Sequence, residues 1–505
     1  MSGATYDLLI RGGTLVSPSG RQEADVAIAN GRIVALLAPG TAASAMSTIE
    51  ATGLHLLPGV IDVHSHHREP GFTHKEDIVS ATSACAAGGV TTSFAMPNVD
   101  PPPNTAERLA AMRALYDARA IVDWNINAAG TVLSEIPALA QQGIAAFKVF
   151  MVVDTGRDYP HMPGIGVHDH GELFRIFRTV AATGLPLMVH PHDQALMSAI
   201  EEDEWSRGEH DFRAYARAYA AYDGIIWDTA AALLLRLQRA AGTQLHLLHT
   251  QTRGVIEQLR AARLRGQAVS AEINPWAVFL GNDWRNIERW GSYALSYYVP
   301  EENTEPLWEA LADGTIDLIS TDHAPHTREE KEPGWTDGWK AHTGTPSAQF
   351  YLSMFLDAAH AGRISLERLV EATSAAPARI FGLTGKGRLE VGADADIAIV
   401  DLDRELEIRD EDVLSTIGWT PYVGRRVRGA VDTTLVRGHV VYRDGTVIGE
   451  PGWGRQARPT PGAHRVGQSA AATRPAVASR VAVEDTRKTA NLSRPGAAVK
   501  EGNTP

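Results

Sequence analysis

The sequence predicts an α/β protein in which a (β/α)8 barrel carries a small β-sandwich formed from both ends of the chain. Three observations lead to this fold class. The middle of the chain alternates short apolar runs with helical patterns, which is typical of βα units and a parallel sheet. Alternating apolar and polar residues predict antiparallel strands near the N-terminus, and the same alternation recurs only near the C-terminus. A length of 505 residues suits one large domain with an appendage.

Eight apolar runs supply the predicted barrel strands, and most of them end in a polar residue or one that can bind a metal. A barrel of roughly 330 residues lies within the range of the TIM-barrel fold. The predicted strands cover residues 60–66, 90–98, 124–130, 145–151, 187–190, 245–249, 268–274 and 316–322.

Short alternating runs predict the strands of the β-sandwich. Asn30-Gly31 and Arg437-Gly438 separate such runs and predict tight turns. From Gly454 onward the chain is rich in small and polar residues without periodicity, so we expect a disordered tail. The predicted organisation is residues 1–57 and 391–453 for the β-sandwich, 58–390 for the barrel and 454–505 for the tail.

Composition narrows the functional classes. A formal net charge of -13 disfavours a nucleic-acid partner, because proteins that bind phosphate backbones concentrate Lys and Arg. The single cysteine, Cys85, excludes an internal disulfide framework and fits a reducing compartment. The first residues lack the basic and apolar regions of a signal peptide, and no apolar stretch approaches the ~20 residues that span a bilayer. We therefore expect a cytoplasmic protein without a membrane partner.

Residues that can bind metals recur at the ends of the predicted strands. His64 and His66 share one face of the first strand, because strand side chains alternate with period two. His190, His249 and Asp322 end later strands, and the C-terminal ends of barrel strands converge on one site. Any one of these histidines is more often structural. Their recurrence at the same strand end favours a site for two cations.

Lys148 lies in an apolar strand, where a charged ammonium would be costly to bury. Burial favours the neutral amine, which can take up carbon dioxide to form a carbamate. The two carbamate oxygens could then bridge two cations as a carboxylate would. The alternative is a lysine that extends to the barrel rim and keeps its charge in water.

Four sequence motifs resemble those of dihydroorotase, a cyclic amidohydrolase of the amidohydrolase superfamily, to which allantoinase, hydantoinase and dihydropyrimidinase also belong. The motifs are PGVIDVHSH at 58–66, REPGFTHKED at 68–77, MPN at 96–98 and TDHAPH at 321–326. The resemblance extends over about residues 6–452 and is more specific for the superfamily than for the substrate.

The resemblance implies a role for each candidate residue. One divalent cation would be held by His64, His66 and Asp322, the other by His190 and His249, with carbamylated Lys148 bridging them; zinc is the expected metal. Arg68 and Asn98 match positions that bind a substrate carboxylate, and His326 matches a third substrate-binding residue near it; the planar fork of arginine suits this task. The alternatives are a rim salt bridge with Glu69 or Asp77 for Arg68 and a turn before prolines for Asn98.

The sequence also departs from the family pattern near the substrate. Asn274-Pro275-Trp276 stands where a Pro-His pair is usual, and Ser296-Tyr297-Tyr298 replaces twin prolines. Val153 stands where hydantoinases have a tyrosine. His192 replaces part of the usual His-Ala-Glu and is interpreted as structural or as supporting a ligand.

The resulting hypothesis is a hydrolase of non-peptide C–N bonds in cyclic amides, converting dihydroorotate to N-carbamoyl aspartate. Two zinc ions would generate a bridging hydroxide, and Asp322 would accept and deliver the proton. Allantoin, hydantoins, dihydropyrimidines and other cyclic imides or lactams are alternative substrates. A mononuclear deaminase and a catalytically inactive scaffold are the rival classes. The expected partners are a small cyclic amide or ureide and further copies of the chain in a homo-oligomer.

Overall fold

Short strands alternate with helices through the middle of the chain, as the sequence predicts. The computed structural model describes residues 6–152, 165–167, 169–281, 283–294, 298 and 300–467. The strands are β1 Tyr6–Ser17, β2 Gly20–Ala29, β3 Arg32–Leu37, β4 Ala45–Glu50, β5 His55–Pro58, β6 Val60–Ser65, β7 Val90–Ala95, β8 Asp123–Ala129, β9 Ala146–Phe150, β10 Pro186–His190, β11 Gln244–Leu247, β12 Val269–Ile273, β13 Leu318–Ile319, β14 Ile397–Glu407, β15 Arg426–Val436, β16 His439–Arg443 and β17 Thr446–Val447.

Strands β6 to β13 form one parallel sheet in the order of the sequence. Beyond β13, His323 forms a parallel bridge with Ser65 of β6, and this bridge brings the two edges of the sheet together. Every residue of β6, β9 and β10 is buried, as expected for strands covered on both faces. The predicted (β/α)8 barrel is therefore confirmed.

Helices connect the barrel strands and cover their outer faces. Phe147 and Val149 of β9 belong to a buried apolar cluster with Ile176 and Phe177. Lys148 points to the opposite face, into the barrel, because strand side chains alternate. The α-helices are α1 Ile78–Ala87, α2 Ala106–Arg119, α3 Ile136–Ala140, α4 His170–Ala181, α5 Gln194–Ser206, α6 Phe212–Ala241, α7 Arg253–Leu264, α8 Pro275–Phe279, α9 Trp284–Trp290, α10 Thr304–Ala312, α11 Arg328–Lys331, α12 Tyr351–His360, α13 Leu366–Val370 and α14 Ala376–Ile380.

Within the described ranges, no helix is both long enough and apolar enough to cross a bilayer.

The β-sandwich combines strands β1 to β5 with strands β14 to β17, in agreement with the predicted fold class. The two chain ends join where β14 pairs antiparallel with β5, placing Ile397 opposite Pro58. The predicted hairpin at Asn30-Gly31 is confirmed, and both residues have positive φ, at 53° and 74°. Such angles suit a two-residue turn of type I′. The domain boundaries given above remain predictions.

The segment after Gly454 does not follow the sequence prediction. Residues 454–467 lie against the barrel, and the disorder predicted there is wrong for them. The backbone N–H of Trp124 donates to the Arg455 carbonyl at 3.0 Å, and that of Ala457 donates to the Trp124 carbonyl at 2.8 Å. Backbone hydrogen bonds do not require periodic side chains, so the composition of this segment did not reveal its ordered structure. The rest of the predicted tail, 468–505, lies outside the described residues.

Candidate active site

The strand ends bring most of the predicted ligands into one buried cluster. The ring centroids of His64 and His66 are 5.4 Å apart, and those of His64 and His249 are 5.0 Å apart. The His190 and His249 rings are separated by 4.7 Å. These histidines and Asp322 are all buried. Side chains spread over more than 250 positions therefore meet at the C-terminal end of the barrel.

Asp322 lies between two of the predicted ligands. Its Oδ1 is 3.2 Å from the Nε2 of His64 and 3.2 Å from the Nε2 of His66. Burial acts to raise the pKa of Asp322, but the neighbouring histidines His64 and His249 outweigh it and lower that pKa below its usual value. Asp322 is therefore ionised and can serve as a ligand or a base.

Lys148 enters the cluster from β9. The side chain is fully buried, and its Nζ has no hydrogen-bond partner among the described residues. Burial lowers the pKa of Lys148 to about 7. Its Nζ lies 4.1 Å from the centroid of the Phe150 ring, and that ring lies 5.9 Å from the His190 ring. Burial therefore favours the neutral amine at Lys148.

Three of the histidines are oriented through their Nδ1 atoms. His64 Nδ1 donates to Glu272 at 2.6 Å, His66 Nδ1 donates to the Asn98 side-chain oxygen at 2.7 Å, and His249 Nδ1 donates to that of Asn274 at 2.9 Å. An Nδ1–H fixed in this way leaves the Nε2 lone pair for a metal. The three Nε2 atoms are thus available to bind a metal ion.

Glu272 and Asn274 support these histidines; the sequence marks Asn274 only as a departure from the family pattern, and Glu272 was not predicted. They alternate on one face at the end of β12, and Asn274 Nδ2 also donates to Glu272 at 3.2 Å. Their spacing of two residues at the end of a predicted strand could have indicated that both side chains lie on one face. Nothing local in the sequence, however, connects Glu272 with His64, which lies more than 200 positions earlier.

The protonation states of the cluster fit a divalent cation. Burial lowers the pKa of His66 to about 3 and that of His249 to about 4, and it holds the pKa of His190 well below the usual value. These imidazoles are neutral at pH 7, and neutral imidazole is the form that binds metals. Ligand atoms of His64, His249 and Asp322 lie within 4.8 Å of one another. Neutral imidazoles with one carboxylate are a typical donor set for zinc.

The predicted carboxylate-binding residues differ in their positions. Arg68 and Asn98 line the same cavity as His66, His190 and His249. His326 is fully buried, and its Nε2 accepts a hydrogen bond from Arg68 Nη2 at 2.9 Å. It therefore stands behind Arg68 and is not among the residues that line the cavity.

Trp276, a departure from the family pattern, contacts the centre of the site. Its indole Nε1 donates to Asp322 Oδ2 at 3.1 Å, so the two carboxylate oxygens have different neighbours. His192 is buried and packs against Tyr219, with ring centroids 5.9 Å apart. Tyr298 is buried, whereas the other departures, Val153, Ser296 and Tyr297, lie outside the described residues.

Comparison with known proteins identifies the family. The model of the amidohydrolase family matches residues 55–441, which include the whole cluster. The chain belongs to the amidohydrolase family. This result confirms the resemblance drawn from the sequence motifs.

Three curated relatives of this amidohydrolase have similar identities but different names. An L-hydantoinase of Paenarthrobacter aurescens is 34% identical, and the alignment covers 89% of this chain and 97% of that protein. An allantoinase of Rubrobacter xylanophilus is 35% identical over 90% of this chain and 98% of its own length. A dihydroorotase of Halobacterium salinarum is 33% identical over 84% and 96%, respectively. Sequence identity alone therefore selects no substrate for this amidohydrolase.

Solved structures support the same fold. The L-hydantoinase (dihydropyrimidinase) from Arthrobacter aurescens superposes with a TM-score of 0.85 at 32% identity, covering 90% of this chain and all of that one. A D-hydantoinase superposes with a TM-score of 0.81 at 26% identity, covering 90% and 99%.

Proposed function

We propose that this amidohydrolase opens the ring of a small cyclic amide or ureide by hydrolysing an amide C–N bond. The favoured substrate is a ring that bears a carboxylate, with dihydroorotate giving N-carbamoyl aspartate as the first candidate. The observation that carries this proposal is one cavity lined by three histidines and Asp322 together with Arg68; the histidines are His66, His190 and His249. Relatives named hydantoinase, allantoinase and dihydroorotase support the reaction class.

In this proposal the cluster holds two divalent cations. His64, His66 and Asp322 would bind one, and His190 and His249 would bind the other. Lys148, as a carbamate formed with carbon dioxide, would lie between them. When bound, the cations, expected to be zinc, would activate a water molecule and polarise the amide carbonyl.

The protein's own residues would orient the substrate and move the proton. Arg68 would hold the ring carboxylate through paired hydrogen bonds from its planar guanidinium. Asp322 would accept the proton of the attacking water and deliver it to the ring nitrogen as the C–N bond breaks. Trp276 would keep the second oxygen of Asp322 in place, because its indole N–H can only donate.

An Asp322→Asn variant tests the role of the proton acceptor. We expect turnover to fall at least ~10³-fold, because general-base catalysis is lost with little change in side-chain size. Most of the bound metal and the unfolding temperature should be retained. The matched control is Asp313→Asn, which alters an exposed carboxylate. Near-normal turnover would remove Asp322 from the mechanism.

Metal content and a substrate panel test the rest of the proposal. About two ions per chain support the hydrolase, one would favour a mononuclear deaminase, and none would favour a non-catalytic scaffold. Turnover should be compared on dihydroorotate, allantoin, hydantoins, dihydrouracil and cyclic imides. Neutral hydantoin-type rings are the second candidate, because the L-hydantoinase structure superposes with a TM-score of 0.85. Turnover confined to neutral rings would replace the first candidate with the second.

A further inference from the structure

A second cluster of titratable side chains lies beside the cavity, behind Arg68. We call it the Glu330 network and define it as Arg68, Lys75, His326, Glu330 and His342. Arg68 and Lys75 come from the loop that follows β6, and Glu330 belongs to the short helix α11. The side chains of Arg68, Lys75 and His326 are buried.

A directed chain of hydrogen bonds runs through His326. A guanidinium only donates, so Arg68 Nη2 donates to the Nε2 of His326, at 2.9 Å. The proton of the neutral imidazole must then be on Nδ1, which donates to Glu330 Oε2 at 3.3 Å. The Nε of Arg68 donates to the Pro325 carbonyl at 3.2 Å. Glu330 therefore fixes the tautomer of His326, and His326 fixes the guanidinium.

Glu330 also neutralises a lysine. Its Oε1 pairs with Lys75 Nζ at 2.7 Å, and that ammonium lies 3.4 Å from His326 Nδ1 and 3.3 Å from His342 Nδ1. The three ligand-type atoms of His326, Glu330 and His342 come within 4.8 Å of one another and resemble a metal site. The Lys75 ammonium lies close to all three residues, so the group binds a lysine and not a metal.

A third cationic side chain, Lys331, interacts with the Glu330 network. The charges of Arg68 and Lys75 lower the pKa of the buried Lys331, although burial is the larger cause, while Glu330 acts to raise it. Arg68, Lys75 and Lys331 therefore interact electrostatically, and Glu330 offsets part of their mutual repulsion.

We propose that Glu330 is a positioning residue that, through His326, prepares Arg68 for a substrate carboxylate and so makes the site selective for carboxylated rings. This inference rests on the proposed function and deepens it. Glu330 does not touch the substrate; it acts through the orientation of Arg68 and through the charge it supplies to Lys75.

Orotate and uracil form a matched pair of probes, because they share a planar ring and only orotate carries the carboxylate. Their dissociation constants are measured by calorimetry on the metal-loaded enzyme and on Glu330→Gln. Glutamine keeps the size of the side chain and can still cap helix α11, but it lacks the charge. We expect the orotate Kd to rise at least tenfold, which is about 1.4 kcal/mol, and the uracil Kd to stay within twofold.

The control variant is Glu329→Gln, which removes an exposed carboxylate from the adjacent position and should leave both constants within twofold. If Glu330→Gln does not fold, His326→Phe keeps a ring but removes the acceptor for Arg68, and the same selective loss is expected. Equal weakening of orotate and uracil, or no change in either, would overturn the inference.

Failure of this inference and failure of the proposed function would give different results. Wild-type enzyme that binds orotate no more tightly than uracil, while still hydrolysing neutral rings, overturns this inference and leaves the hydrolase intact. Enzyme that binds orotate selectively but turns over none of the cyclic amides retains the carboxylate site and loses the proposed function.

Discussion

The two ends of the cavity are held by different kinds of contact. At the end that carries the predicted metal ligands, which we call the metal-facing end, His64, His66 and His249 are each oriented by one side-chain oxygen. At the other end, Arg68 is supported from loops by the Glu330 network. From this difference we expect side chains on the strands to govern the reaction and side chains on the loops to govern the choice of substrate. Variants at the first end should therefore impair every substrate equally, and variants at the second should change substrate preference.

The largest effect is expected for Lys148→Ala, which should lose both bound metal and turnover. Added short carboxylic acids should restore activity by replacing the carbamate. Because burial lowers the pKa of Lys148 to about 7, the amine is neutral above that pH and protonated below it. Reconstitution of stripped enzyme with metal and bicarbonate should accordingly improve as pH rises through 7. Metal analysis and activity assays measure both results.

The exposed Lys340 provides the control, since Lys340→Ala should retain metal and turnover. Wild-type metal content in Lys148→Ala would contradict a bridging carbamate.

Glu272→Gln should have the next largest effect. Losing the carboxylate that orients His64 is expected to weaken metal binding by about 10- to 100-fold. Turnover at saturating metal should fall by the same factor on carboxylated and neutral rings. Glu257→Gln, on the exposed face of α7, is the matched control. A change in substrate preference in Glu272→Gln would contradict the expected separation of roles between the two ends of the cavity.

The Trp276→Phe variant tests the contribution of a single hydrogen bond at the metal-facing end. It removes the hydrogen bond to Asp322 Oδ2 and keeps an aromatic ring. A hydrogen bond to a charged group contributes about 1.5–3 kcal/mol, so kcat should fall about tenfold or more. KM and metal content should change little, and Trp276→His, which restores an N–H donor, should recover part of the loss. A rise in KM alone would make Trp276 a substrate contact.

Gly454→Ala should leave both ends of the cavity unaffected. A Cβ at this position would lie 2.0 Å from the Val122 carbonyl oxygen, which belongs to the backbone and cannot easily move. We expect the free energy of unfolding to fall by about 1–3 kcal/mol, with unchanged turnover per folded molecule. Denaturant titration measures the loss. Gly171→Ala, where the nearest atom belongs to a side chain, should cost less.

The sequence predicts the barrel and the metal-facing cluster well, for a physical reason. His64 and Asp322 both lie at the ends of predicted strands, and the C-terminal ends of barrel strands lie at one face of the barrel. Their proximity can therefore be predicted without knowing which residues contact each other. The partner of His64, Glu272, depends on which strands are neighbours in the barrel, so local patterns did not reveal it. His326 was expected to touch the substrate, but its hydrogen bond to Arg68 places it one layer further from the cavity.

The pairing of β5 with β14 has a consequence for synthesis of the chain on the ribosome. Pro58 lies two positions before the strand that carries His64, yet its neighbour Ile397 is translated roughly 340 residues later. At about 5–20 residues per second this delay is on the order of 17–70 s. Throughout that interval the edge of β5 that pairs with β14 lacks its partner, a few residues before His64. A holdase that shields this edge during translation would raise the yield of active enzyme.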